Sequence, residues 1–145
     1  GDPSHDSDRF RSAPLEDFLE LVKVPGLQLY SLQHGPRGKD IETIGATGLI
    51  KDETAMMRDM ADTASVIRSL DLVITVDTSV AHLAGACGKP VWILLPYQGL
   101  DWRWKYEGEE TVWYPSAKLI RQQEDEKSWR PVLERVAEML REYKK

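Results

Sequence analysis

The chain has 145 residues, 41% hydrophobic and 30% charged, which suits one globular domain with enough apolar content for a real core. Its formal net charge of −5 argues against general nucleic-acid binding, which leaves a basic footprint. One cysteine excludes an internal disulfide, no apolar run reaches the ~20 residues of a membrane span, and the sequence carries no signal-peptide pattern; a reducing, cytoplasmic setting is expected.

Residues 1–12 are polar and aperiodic and read as a loop. Leu15, Phe18, Leu19 and Val22 then space as a short amphipathic helix. Pro14 stands near its start, Glu16 and Asp17 occupy its first turn, and Pro25-Gly26 ends it. Residues 27–32 (LQLYSL) predict a strand, and residues 33–47 a glycine-bearing loop. Met56, Met60, Thr63, Ala64 and Ile67 mark a second helix. The run LVITV at 72–76 is continuously apolar and β-rich, as in a parallel strand covered on both faces. Asp77, Thr78 and Ser79 follow it. Val80, Leu83, Ala84 and Cys87 recur on one helical face, Gly88 stops that helix, and Pro90 blocks its continuation. Residues 91–95 predict another buried strand. The connection at 96–116 holds Trp102, Trp104 and Trp113. Residues 118–121 suit a short strand. Ser128 is placed to cap a final helix, with Trp129, Leu133, Val136, Leu140 and Tyr143 on its buried side. Arg141, Lys144 and Lys145 complement the negative end of that helix.

Strands alternating with helices imply an α/β fold, a doubly wound parallel sheet. Such a sheet normally opens with a strand, whereas this chain opens with a polar loop leading to a helix. It is therefore expected to begin inside, or just after, the first strand of a larger protein. The turn after the 72–76 strand lies at the carboxyl edge of the sheet, where open α/β folds bind ligands. The helix that starts there offers unpaired N–H groups and a partial positive charge, a seat for phosphate. Thr78 and Ser79 suit diphosphate contact there, and ordinary helix capping would place the same residue types. His82 lies one turn on, on the same side; it either touches a ligand or packs at the sheet edge. Asp77 is read as orienting the turn. One cysteine and three scattered histidines give no metal-ligand spacing, so no metal and no cofactor are expected. G-x-G-x-x-G and Walker A motifs are both absent.

The run DLVITVDTSVAHLAGACGKPVWILLP, followed by DWRW, WYPS and a late RQ…W, resembles the carboxyl-terminal half of family 9-type glycosyltransferases, the group that includes heptosyltransferases. It is most similar to the glycosyltransferase region attached to bacterial tetratricopeptide-repeat proteins. SHDSDRFRSAPLEDF and LYSLQHGP resemble that family's loop into its first helix and its second strand, so the resemblance covers nearly the whole chain. It implies one half of a GT-B architecture: residues 1–145 as a single Rossmann-like domain that binds a nucleotide-diphosphate sugar. The amino-terminal GT-B domain, which carries much of the acceptor side, is the implied missing partner, possibly with tetratricopeptide repeats. Alone, the domain is expected to be inactive or nearly so.

The resemblance places the polar entrance loop near the cleft, which makes Arg9 a candidate phosphate partner. Gln33 follows a strand end and is a candidate for lining the donor site. His34 departs from the family, which often has a basic residue there. Trp102 is a candidate for stacking on a base or sugar, and Arg103 for pairing with phosphate. Trp113 is read as core of the long loop, and Trp92 and Trp129 as core of the domain. Two other readings stay open: a non-catalytic GT-B-like interaction module of a repeat protein, and a nucleotide-sugar epimerase-like domain.

Overall fold

A computed structural model describes residues 1–143; Lys144 and Lys145, assigned above to the end of the last helix, lie outside the described residues. The fold is α/β, with two small parallel sheets that together form a Rossmann-like half domain. The first sheet pairs β1 (Leu29–Ser31) with β2 (Ile50–Asp52). The second has the order β3 (Val73–Val76), β4 (Val91–Leu95), β5 (Ala117–Arg121). No described helix is long and apolar enough to cross a membrane.

β4 is the centre of the second sheet, and all five of its residues are buried. Its alternating side chains feed two cores. Trp92 and Leu94 join Leu133, Val136 and Leu140 of the last helix. Val91, Ile93 and Leu95 join Ile67, Ala81 and Ala84 on the other face. A strand covered on both faces must be apolar throughout, as VWILL is.

The helices α1 (Asp8–Arg11) and α2 (Leu15–Phe18) are single turns near the amino terminus. The polar start expected to be a plain loop thus contains a helical turn, and Asp8 within it is buried. α2 runs on as a 3-10 segment, Leu19–Lys23. The tighter winding moves the apolar face, so Leu21 is buried and Val22, expected on that face, is only half-buried. Between β1 and β2, where a loop was expected, lie a 3-10 turn, Pro36–Lys39, and α3 (Asp40–Thr43).

α4 (Met60–Ser69) starts at Asp59, whose carboxylate accepts a bond from the Asp62 N–H. That cap fixes the start, so Met56 falls outside the helix and is exposed, as is Met60. α5 (Ser79–Ala86) buries Ala81, Ala84 and Gly85; of the face read from the sequence Ala84 is fully buried, Val80 and Leu83 pack half-buried against the same core, and Cys87, half-buried, stands just past the helix end. Small residues let it lie close to the sheet. Gly88 takes a φ of +66°, which ends the helix in the left-handed region glycine favours. α6 (Arg130–Glu142) follows Trp129 at its cap position, with Pro131 in its first turn; Ser128 therefore does not cap it. Tyr143, expected on the buried side, is 38% exposed and meets Trp92 edge-on.

Candidate functional site

The site is built where β3 ends and α5 begins. Thr78 occupies the cap position of α5 in extended backbone, and its side chain makes no capping bond. Its hydroxyl instead meets the Thr75 hydroxyl at 3.2 Å. The first turn of α5 therefore keeps its N–H groups uncapped by a side chain, at the carboxyl edge of a parallel sheet. Ser79 is exposed beside them. Uncapped N–H groups with the helix dipole behind them favour an anion.

The polar start of the chain closes over this turn. Arg11 donates from Nη1 to the Asp77 carbonyl at 3.0 Å, while its Nε is buried without a hydrogen-bond partner. Arg9, the residue singled out from sequence, points elsewhere: it is exposed and its guanidinium lies over the Phe10 ring at 4.4 Å. The two arginines are two residues apart on one helical turn, so only one of them can face the sheet.

Arg37 pairs with Asp8 at 2.5 Å, and Ser12 donates to the same carboxylate at 2.5 Å. Burial pulls the Asp8 carboxyl upward, but these hydrogen bonds and the Arg37 charge outweigh it and hold it below its ordinary value. Gln33 accepts from the Gly1 ammonium at 3.2 Å and donates to the His34 carbonyl at 2.8 Å. It thus ties the end of β1 to the chain start. Burial, with the charge of Arg37, lowers the pKa of that ammonium.

His82 sits on the far side of the turn. Its Nδ1 is 2.8 Å from the Tyr114 hydroxyl, and its ring stacks on Trp104 with centroids 5.3 Å apart. Its Nε2 is 3.7 Å from the Asp77 carboxylate, too long for a hydrogen bond and open to a ligand oxygen. Gly85 makes this arrangement possible. A Cβ there would meet Tyr114 Cγ at 2.4 Å, so only glycine lets the Tyr114 ring lie on α5.

Asp77, Thr78, Ser79 and His82 therefore belong to one short stretch of surface, with Arg11 added to it. Trp102 and Arg103 stand outside, on the long connection. Trp102 is 69% exposed, and Arg103 lies over it while donating to Asp101 at 2.9 Å. Burial raises the Asp101 carboxyl, but the bonds from Arg103 prevail and lower it. Trp113, read as core, is 53% exposed and meets Trp102 edge-on; Trp104 is the buried tryptophan of the loop. Arg121 anchors that loop from β5, donating to the carbonyls of Trp104, Lys105, Glu107 and Gly108. Arg37, Tyr114, Trp104 and Arg121 carry no local sequence signal for these roles. Each acts on partners far along the chain, as the 32-residue separation of His82 and Tyr114 illustrates.

No set of described histidine, cysteine, aspartate or glutamate side chains is grouped to hold a metal. No family model matches the chain, and no solved structure matches it. Protein FlbA of Caulobacter vibrioides is similar, 28% identical over 136 residues, or 90% of this chain and 22% of that protein. The chain thus spans about a fifth of the length of this relative.

Proposed function

We propose that this chain is the donor-binding domain of a family 9-like GT-B glycosyltransferase, of the kind joined to bacterial tetratricopeptide repeats. Its ligand is a nucleoside diphosphate sugar, its setting the bacterial cytoplasm, and its partner the amino-terminal GT-B domain that completes the cleft. The observation that carries this reading is the uncapped first turn of α5, with Arg11 across it. The α5 N–H groups, the Thr78 and Ser79 hydroxyls and the Arg11 guanidinium can together bind a diphosphate without a metal. As the sugar leaves, negative charge grows on that diphosphate, and the same donors stabilise it. His82 Nε2 is placed to hydrogen-bond a phosphate or ribose oxygen, with its ring held by Tyr114 and Trp104. Arg103 and Trp102, at the rim, fit contact with the outer part of the ligand.

The exposed aromatic group of Trp102, Tyr106 and Trp113 favours a second reading, a non-catalytic interaction module. Ligand-detected NMR titration with ADP, UDP, GDP and CMP separates the two. Selective binding lost in Thr78→Ala/Ser79→Ala supports the donor-site reading. Equal weak binding to every nucleotide, unchanged by that double substitution, removes it.

A further inference from the structure

The carboxylate of Asp77, just past the end of β3, receives no hydrogen bond from any described residue, although its side chain is only 15% exposed. An ionised carboxylate only accepts, through about four lone-pair sites, and leaving them unmet away from water is costly. Asp101, whose charge also reaches His82, is by contrast bonded by Arg103 through both of its oxygens. Asp77 therefore keeps an acceptor in hand at the candidate site, beside the Nε2 of His82.

The neutral imidazole of His82 carries its hydrogen on one ring nitrogen or the other. Its Nδ1 lies 2.8 Å from the Tyr114 hydroxyl, which can donate or accept and so suits either form. Asp77 decides between them. With the hydrogen on Nδ1, the Nε2 lone pair would stand 3.7 Å from a carboxylate oxygen. With the hydrogen on Nε2, that charge attracts it, and Nδ1 accepts from Tyr114. Trp104, 1% exposed, stacks on the ring at 25° and holds its plane.

We propose that Asp77 and Tyr114 fix His82 with its hydrogen on Nε2, and that Nε2–H and the Asp77 carboxylate together bind a ligand hydroxyl. An oxygen about 2.8 Å from each of these atoms fits between them. It must accept from Nε2–H and donate to the carboxylate, and a hydroxyl does both. A diphosphate oxygen has no hydrogen to give and would meet the carboxylate as a like charge. The phosphates belong instead on the α5 N–H groups and Arg11, and the hydroxyl is one of the ribose or of the transferred sugar. That ownership of the hydroxyl rests on the donor-site reading above, whereas the hydrogen on Nε2 does not. Tyr114 is a positioning residue that keeps Nδ1 occupied, and Asp77 sets the specificity.

Long-range ¹H–¹⁵N spectra of the free protein, taken above the pH range in which histidines ordinarily titrate, read the tautomer directly. A single neutral form with its hydrogen on Nε2 is expected. Asp77→Asn offers an amide donor to Nε2 and should shift the ring toward the Nδ1–H form. Tyr114→Phe should move the Nδ1 signal and leave the hydrogen on Nε2. A wild-type ring with its hydrogen mainly on Nδ1 would overturn the proposal. Ligand-detected titrations of wild type and Asp77→Asn then compare pyrophosphate, UDP and ADP, and UDP-glucose and ADP-glucose. Loss of the charged acceptor should weaken hydroxyl-bearing probes by about five- to tenfold. Pyrophosphate should bind unchanged or more tightly, since a repelling charge is gone. A loss already present with UDP or ADP places the hydroxyl on ribose; a loss confined to the glucose conjugates places it on the sugar. Equal weakening of pyrophosphate, or tighter binding of every probe, overturns the hydroxyl assignment. If no probe binds the wild type, the donor-site reading falls and the hydroxyl with it, while the free-protein spectra still decide the tautomer.

Discussion

β4 and β1 are both short parallel strands, and their surroundings differ at every level. β4 has a strand on each side and a helix layer on each face, and none of its residues is exposed. β1 has three residues, one neighbour, and Tyr30 39% exposed. The core beside β2 holds just Ile41, Ala46 and Ile50 as buried members. Continuous burial fixes the β3–β4–β5 half, whereas the β1–β2 half hangs on a few contacts and on polar ties from the chain start. The candidate anion site uses both: the rigid half supplies α5, and the loop that also ties down the thin half supplies Arg11.

The largest effect that tests this contrast comes from the rigid core. Leu133→Ala empties space in the α6 core, where the wild-type side chain is fully buried. It should cost about 2–5 kcal/mol in urea unfolding, whereas Ile50→Val beside β2 should cost about 0.5–1.5 kcal/mol. Amides of β4 should exchange only through global unfolding, and those of β1 and β2 through smaller openings. Equal exchange in the two halves would break the comparison.

The same contrast governs what could be read from the sequence. The β3–α5–β4 segment is legible because two continuous apolar runs bracket a small-residue helix. β2 went unpredicted: of Ile50, Lys51 and Asp52 only Ile50 is buried, and three residues cannot display a period. At the site, Asp77, Thr78, Ser79 and His82 lie within six consecutive residues and could be grouped from spacing. Arg11 could not be chosen over Arg9, because the choice depends on how a single helical turn meets the sheet. Tyr114 reaches His82 only through the tertiary fold, and the one local hint, Gly85, looks like any small helix residue until a ring is found against it.

Gly85→Ala is the next largest effect. Its new Cβ would collide with the Tyr114 ring, whose backbone neighbours are tied into β5. A cost of about 1–3 kcal/mol is expected, together with changed His82 ring ¹⁵N signals as Tyr114 moves. Tyr114→Phe removes the hydroxyl and keeps the ring, so it should change those signals at a cost of about 0.5–1.5 kcal/mol. If Gly85→Ala leaves the His82 signals unchanged, α5 is not positioning that ring through Tyr114.

Arg121→Ala should act between the two halves in size. It withdraws a guanidinium from carbonyls spread over residues 104–108, leaving the buried Trp104 carbonyl without that donor. A loss of about 1–3 kcal/mol is expected, with faster exchange confined to the 96–116 connection. A uniform change across β4 as well would mean that the loop and the sheet unfold as one unit.

The smallest effect belongs to the chain start and is read with pH. The carboxyl of Asp8 is held below its ordinary 3.8 by its bonds to Ser12 and Arg37, against the opposing pull of burial. A depressed folded-state pKa stabilises the native state above the unfolded value, and that stabilisation is lost as pH falls through the folded value. The tie between α1 and the Pro36–Lys39 turn should therefore be intact at neutral pH and loosen only below about pH 4. Arg37→Ala removes the cation and leaves the burial, so the Asp8 carboxyl should rise and the loosening should start at a higher pH. Titrating the Ser12 and Gln33 amide signals by NMR in both proteins checks this. If Arg11 depends on that tie to face Asp77, acid should also weaken nucleotide binding before it unfolds β4. If binding and β4 protection fail at the same pH, the chain start is not a separate latch on the site.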